Sequence, residues 1–109
     1  MSNEWNYNQA TQAVDLDFSL SFDEEVKKIR SSRGGRIMTG SHNYYILRAL
    51  FEGNTIDDYE NPPLNDKGFG IRNIRSRIAD LRHDWHIVIG DRVKSDKPYK
   101  EYCIQGRGV

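Results

Sequence analysis

The sequence predicts one α+β domain in which helices come first and a β-hairpin comes last. Apolar residues recur at helical spacing in several segments before residue 83, and from Trp85 onward they alternate with polar residues as in strands. A chain of 109 residues has room for one domain and a tail. We therefore expect an N-terminal extension at residues 1–20 and a domain at residues 21–109, with its core at residues 41–105.

The N-terminal extension is polar and acidic, with scattered apolar residues. This composition is typical of a tail that is disordered or that packs on a partner, and the alternation at residues 15–22 also fits a strand or a segment that folds on binding. Ser21 through Glu24 then form a capping-box pattern. A first helix is predicted from this cap through about Ser31.

Two further helical segments are predicted in the middle of the chain. Ser41 is a suitable N-cap, a wide apolar face follows it, and Gly53 is a suitable C-terminal cap. Residues 55–58 then predict a short helix or turn. Two consecutive prolines at residues 62–63 end that element, because proline cannot continue a helix.

Residues 71–82 predict the most informative helix. Isoleucines and a leucine at 71, 74, 78 and 81 lie in one sector of a helical wheel at about 100° per residue, the pattern of a helix packed on a core. Arginine can read guanine, asparagine can read adenine, and both also bind phosphates. Such residues fill the rest of the wheel: Arg72, Asn73 and Ser76 opposite the stripe, Arg77 on one flank, and Arg75 and Arg82 beside the stripe.

A β-hairpin is predicted directly after this helix. Residues 86–94 are rich in β-branched side chains, residues 95–98 carry a turn signal, and residues 99–104 alternate again. A helix suited to the major groove followed by a hairpin with a basic tip is the element order of a winged helix. In that arrangement the hairpin lies against the DNA backbone or the minor groove.

Charge is segregated along the chain, although the formal net charge is zero. Residues 1–26 contain six acids and no base, residues 27–36 contain five bases and no acid, and residues 67–100 contain nine bases against four acids. Phosphate binding depends on the local field, because salt screens charges over about 8 Å. The basic segment at residues 27–36 is therefore either a second phosphate-contacting arm or a counter-charge for the acidic tail.

Residues from about 41 to 81 and beyond resemble the small winged helix-turn-helix domains common in bacteriophage and prophage genes. The resemblance rests on a first helix that ends near Gly53, a second that begins at Thr55, and an Arg-Ile-x-Asp-Leu-Arg pattern at residues 77–82, with a strand at Ile87. It covers roughly half to two-thirds of the chain. The resemblance implies a winged helix, DNA binding and a regulatory role.

The predicted DNA contacts lie on the last helix and on the hairpin. For some of them a structural role is an open alternative. Arg77 is three residues before Asp80, so that an ion pair could stabilise the helix instead, and cations on a hairpin also protect exposed strand edges from pairing. The predicted contacts are Arg72, Asn73, Arg75, Ser76, Arg77, Arg82, Arg92, Lys94, Lys97 and Lys100.

The sequence contains no recognisable catalytic, cofactor or metal motif. It has no nucleophile–base arrangement, paired carboxylates or glycine-rich phosphate loop, so we expect a protein that is not an enzyme and takes no cofactor. His83, His86 and Cys103 match no zinc spacing, and the lone Cys103 is expected to be a buried thiol. The lack of a signal peptide or an apolar span predicts a cytoplasmic protein without membrane contact.

Two functional hypotheses follow. The first is a sequence-specific double-stranded DNA-binding protein, a transcriptional regulator of phage or mobile-element origin that acts as a homodimer on two half-sites. The second is a winged-helix protein-interaction module, such as an inhibitor of a host machine or an accessory protein in replication or packaging. It would bind a protein partner through the acidic residues 1–20 or 57–66, and the zero net charge favours it.

Overall fold

In a computed structural model, which describes residues 5–7, 16–57, 74–93 and 100–105, these residues fold in the order strand, two helices, strand, helix and hairpin. The four strands among them form one antiparallel sheet in the order β1-β3-β4-β2. The predicted α+β class is therefore confirmed. The elements are β1 (Asn6–Tyr7), α1 (Phe22–Val26), α2 (His42–Phe51), β2 (Ile56–Asp57), α3 (Ile74–His83), β3 (Ile89–Val93) and β4 (Lys100–Ile104).

Helix α1 begins where the capping box predicts, but it is shorter than predicted. Ser21 Oγ accepts a hydrogen bond from the backbone N–H of Glu24 at 3.3 Å. The prediction that the helix continues through Ser31 is wrong, because it ends at Val26 and is followed by tighter turns. Those turns carry Ile29 into the core, where its side chain has no exposed surface.

Helix α2 has the predicted caps at both ends. Ser41 Oγ accepts a hydrogen bond from a backbone N–H in the first turn at 3.2 Å. At the other end Gly53 has a φ of +93°, which glycine adopts without strain. The N–H groups of Gly53 and Asn54 donate to the carbonyls of Leu50 and Ala49, each at 3.0 Å, which is a Schellman motif. Both caps are confirmed.

The prediction of a short helix or turn at residues 55–58 is wrong for Ile56 and Asp57, which form β2. These two residues pair antiparallel with Tyr102 and Glu101 of β4. The pairing satisfies backbone groups at an edge of the hairpin and buries Ile56 completely. A long-range partner therefore overrides the local helix signal, and the rest of that predicted element, from residue 58 onwards, lies outside the described part of the chain.

The core lies where α2 packs on α3 and on β2 and β4. The apolar stripes predicted on the two helices are confirmed, because their described members are buried here. Removal of this apolar surface from water is the main favourable contribution to the fold. The largest fully buried apolar side chains are Ile29, Ile46, Leu47, Leu50, Ile56, Ile78, Leu81, Ile87, Ile89 and Ile104.

The described part of the N-terminal extension contacts the domain itself. Strand β1 pairs antiparallel with β3. Leu16 and Phe18 pack against the core, and the ring centroids of Phe18 and Phe51 are 4.9 Å apart. The strand expected at residues 15–22 does not form in the part that the structure describes. A turn stands there instead, closed by the N–H of Leu20, which donates to the Asp17 carbonyl at 3.3 Å.

A buried carboxylate joins this extension to α1. Glu25 is 1% exposed and accepts a hydrogen bond from the Asp17 N–H at 3.1 Å through one oxygen. Its other oxygen pairs with Lys28 Nζ at 2.9 Å, and this hydrogen bond is the main cause that raises the pKa of Lys28. A buried charge is costly unless both oxygens are engaged, as they are here.

Candidate nucleic-acid interface

Helix α3 presents a polar and basic surface away from the core. Its apolar residues Ile74, Ile78 and Leu81 are at most 3% exposed. Arg75 and Ser76 are exposed in its first described turn, the part of a recognition helix that contacts base edges. The helix thus combines a firm attachment to the core with an accessible basic face.

Arg77 forms the ion pair with Asp80 that the sequence offered as an alternative to DNA contact. Its Nη1 lies 3.5 Å from Asp80 Oδ2, and the two side chains are 39% and 49% exposed. At this distance and exposure the pair contributes only a few tenths of a kcal/mol, about 0.3. The contact of Arg77 with phosphate stays a prediction beside this weak pair.

Arg82 connects α3 to the hairpin. Its Nη2 donates to the Ile89 carbonyl at 2.6 Å and to Asp91 Oδ2 at 2.8 Å. The guanidinium also lies 5.9 Å from the ring centroid of Tyr102, within range of a cation–π interaction. Because Arg82 and Asp91 are only 17% and 18% exposed, this contact sets the position of the helix relative to the hairpin.

Ion pairs join the two strands of the hairpin. Arg92 Nε lies 2.6 Å from Glu101 Oε1 on the facing strand, and the Arg92 guanidinium stacks 4.1 Å from the ring centroid of Trp5. Lys100 Nζ lies 3.7 Å from Asp91 Oδ1. The cations of the described part of the hairpin therefore have structural partners as well as exposed surface.

The hairpin rises from the core towards solvent. Along β3 the exposed fraction increases from 0% at Ile89 to 63% at Val93. Along β4, Lys100 is exposed at one end and Ile104 is buried at the other. The ends of the two strands at Val93 and Lys100 are thus exposed, while the opposite ends lie in the core.

An open groove of about 270 Å³ separates α3 from the hairpin. Arg75 and His83 line it on the helix side, and Lys100 lines it on the hairpin side. The acid that lines it, Asp91, is already paired with Arg82 and Lys100. A concave surface with cations on both walls fits an anionic backbone.

The structure describes six of the ten predicted contact residues. It brings Arg75, Arg82 and Lys100 to the same groove, and it engages Arg77, Arg82 and Arg92 in ion pairs. Ser76 is exposed on the same helix. The other predicted contacts, Arg72, Asn73, Lys94 and Lys97, lie outside the described residues.

The acids that organise these arginines are not among the residues predicted from the sequence. Asp91 and Glu101 each hold a cation across the hairpin or between hairpin and helix. The pairing of Arg92 with Glu101 could have been found from the strand register. A turn centred at residues 96–97 places these two residues directly opposite each other on the hairpin, as observed. The contact of Arg82 with Asp91 has no such signal, since it depends on how the helix packs on the sheet.

Cys103 is 2% exposed, which confirms the predicted buried thiol. Burial raises the pKa of this thiol, so that it is neutral and weakly reactive at neutral pH. Tyr7 Oη lies 3.5 Å from Cys103 Sγ, and desolvation together with this contact raises the pKa of Tyr7 to about 12. In the part of the chain that the structure describes, no three His, Cys, Asp or Glu side chains form a group that could bind a metal ion.

No protein-family model, curated protein or solved structure matches this chain. The likeness to phage winged helix domains therefore rests on the residue pattern and element order. Separately, none of the helices within the described ranges has the length and apolar character needed to cross a membrane.

Proposed function

We propose that this protein is a cytoplasmic, sequence-specific double-stranded DNA-binding protein that regulates transcription in a phage or mobile element, and that its fold is a winged helix. The observation that carries the proposal is the exposed basic surface of α3, which continues into a groove with Arg75 and Lys100 on its two walls. The order of α2, β2, α3 and hairpin also supports it.

In this proposal α3 enters the major groove and the hairpin follows the backbone. Arg75 and Ser76, with the preceding Arg72 and Asn73, face the base edges. Lys100 faces a phosphate across the groove, while Arg82 keeps the angle between helix and hairpin. One such module buries little surface, so we expect a homodimer on two half-sites.

Fluorescence anisotropy with duplex DNA tests the proposal. The protein is titrated against a random-sequence library and against the DNA upstream of its own gene at two salt concentrations. We expect a dissociation constant below about 1 μM for a preferred sequence, at least about 10³-fold tighter than for random DNA, with affinity that falls steeply as salt rises. Absence of binding even at low salt contradicts the proposal.

A variant pair makes this test specific. The double substitution Arg75→Ala with Ser76→Ala should weaken binding to the preferred sequence by about tenfold or more, because contacts to bases carry about 1–3 kcal/mol each. The control is Arg48→Gln on α2, whose side chain is paired with Glu52 at 3.0 Å. This substitution removes one positive charge and changes no residue of α3.

The second candidate function is a protein-interaction module that uses the same fold. The observation in its favour is that Arg82 and Arg92 are engaged inside the protein, which reduces the charge available to phosphate in a chain of zero net charge. Under this alternative the α3 substitutions leave activity unchanged. Changes in residues 1–20 or 57–66 would then remove it.

A further inference from the structure

The segment between α1 and α2 holds a basic surface that neither the fold nor the proposed recognition helix uses. We infer that its arginine loop (residues 30–36) is a second contact with the DNA backbone, attached to the C-terminal end of α3. The inference rests on the proposed function and adds a phosphate-binding site to it. Four features of the described residues support it: the attachment, the shape of the loop, its charge and its proximity to the groove.

The loop is attached to the end of α3 by Ser32. The Ser32 N–H donates to the carbonyl of Asp84 at 2.8 Å and also to Asp84 Oδ1 at 3.1 Å. Ser32 Oγ donates to the carbonyls of Asp84 and His83 at 3.2 and 3.4 Å and lies 3.4 Å from His86 Nε2. Because the last carbonyls of a helix lack partners within it, this contact caps α3 from a distant part of the chain.

The shape of the loop is defined by Ser31. Ser31 Oγ accepts hydrogen bonds from the N–H groups of Arg33 and Gly35 at 3.2 and 3.0 Å. The Ser31 N–H donates to the Gly35 carbonyl at 2.8 Å, which closes the turn. Gly34 lies at its apex with a φ of +85°, where a side chain would be strained. The backbone that carries Arg33 is thus ordered before any ligand binds, which lowers the cost of binding.

The two arginines at the rim of the loop are exposed and have no described partner. Lys28 pairs with Glu25, and Arg30 Nη1 donates to the carbonyls of Lys27 and Ile29. By contrast, Arg33 and Arg36 are exposed, and no acid among the described residues lies within ion-pair distance of either side chain.

Three of the four described acids of the N-terminal extension and α1 have other partners, and the fourth, Glu24, is exposed and lies outside ion-pair distance of Arg33 and Arg36. Asp17 accepts hydrogen bonds from Ser19, Asp23 accepts one from Tyr44, and Glu25 pairs with Lys28. The described contacts therefore give Arg33 and Arg36 no role as counter-charges for that extension. Of the two roles predicted for this basic segment, the loop therefore fits that of a phosphate-contacting arm.

The loop adjoins the groove at the end of α3. His83 lines the groove with Arg75 and Lys100, and its carbonyl accepts the hydrogen bond from Ser32. Helix α3 has 10 residues and is therefore about 15 Å long. The loop stands about one helix length from Arg75, so the phosphates that it reaches differ from those beside the first turn of the helix.

The salt dependence of DNA binding tests the inference. Each phosphate contact contributes about 0.9 to the slope of log affinity against log salt concentration. The variant Arg33→Gln with Arg36→Gln should therefore lower the slope by about 1.8 and leave the preference among sequences unchanged. The charge-retaining variant Arg33→Lys with Arg36→Lys should keep the slope, because lysine also binds phosphate.

Two further controls separate this result from a general charge effect or a folding defect. Arg48→Gln removes one positive charge on α2 and should keep the slope. Thermal unfolding of each variant shows whether the domain is intact. If the glutamine variant does not fold, the comparison of the lysine variant with Ser32→Ala, which removes the side-chain hydrogen bonds between the loop and α3 without changing charge, gives the same test.

The outcomes distinguish this inference from the proposed function. If the wild-type protein binds no duplex, the proposed function fails and the inference fails with it. If the wild-type protein binds selectively and the glutamine variant keeps its slope and affinity, the inference is overturned while the function stands. A changed sequence preference in the glutamine variant would also overturn it, since the loop would then contact bases rather than the backbone.

Discussion

The β-hairpin and the arginine loop are both basic, but they hold their cations in different ways. In the hairpin, Arg92 pairs with Glu101 across the strands and Lys100 lies near Asp91. In the arginine loop, hydrogen bonds centred on Ser31 and Ser32 define the structure, and the side chains of the rim arginines take no described part in it.

This difference shows that a basic residue in the sequence has no fixed role. An arginine beside a carboxylate on a neighbouring element stabilises the fold and has less charge to offer a ligand. An arginine on a turn that is closed by backbone groups is left to solvent or to a ligand. Whether a cation serves folding or binding therefore depends on the acids around it.

The largest expected effect on stability comes from breaking the contact between α3 and the hairpin. Arg82→Ala removes a charge-assisted hydrogen bond and leaves Asp91, 18% exposed, without its main partner. We expect the free energy of unfolding to fall by about 2–3 kcal/mol. Urea denaturation followed by circular dichroism measures it.

The matched control lies on the same helix. Arg77→Ala breaks the more exposed pair with Asp80 and should cost less than about 0.5 kcal/mol. Equal losses for the two variants would show that Arg82 is as weakly engaged as a surface cation. A double-mutant cycle of Arg82→Ala with Asp91→Ala should give a coupling above about 1 kcal/mol.

A smaller effect is expected from weakening the attachment of the arginine loop. Ser32→Ala removes the hydroxyl that caps α3, although the backbone bond of residue 32 to Asp84 remains. We expect a loss of about 0.5–1 kcal/mol and faster amide hydrogen exchange in residues 32–35. Ser76→Ala, exposed on α3, is the control and should stay within about 0.5 kcal/mol of wild type. Unchanged exchange in the loop would argue against its attachment through this side chain.

The smallest effect concerns pH at the contact of β1 with the hairpin. The pKa values of Tyr7 and Cys103 are both raised above their ordinary values of 10.0 and 9.0. Their contribution to stability is therefore fully present below pH 9 and is lost as the pH rises towards 12. Stability measured from pH 7 to 11 should decline less in the variant Tyr7→Phe with Cys103→Ala than in wild type. A parallel decline would show that these groups titrate alike in the folded and unfolded chains.

Much of the fold could be predicted because its signals are local. The caps at Ser21, Ser41 and Gly53 act within one turn of the helix that they begin or end. The buried stripe of α3 and the alternation of β3 and β4 follow from the two side-chain periods of helix and strand. A candidate contact such as Ser76 could be named for the same reason, since a residue opposite the apolar stripe is exposed.

Only the tertiary structure decided which distant segments pair. Ile56 and Asp57 form a strand because β4 offers them partners, and Arg82 is a structural residue because the packing of α3 brings Asp91 to it. The docking of the arginine loop on Asp84 likewise joins segments that are far apart in the chain. Helix caps and side-chain periods depend on neighbours within a few residues, so the sequence by itself determined them. Long-range pairing depends on geometry that exists only once the chain has folded.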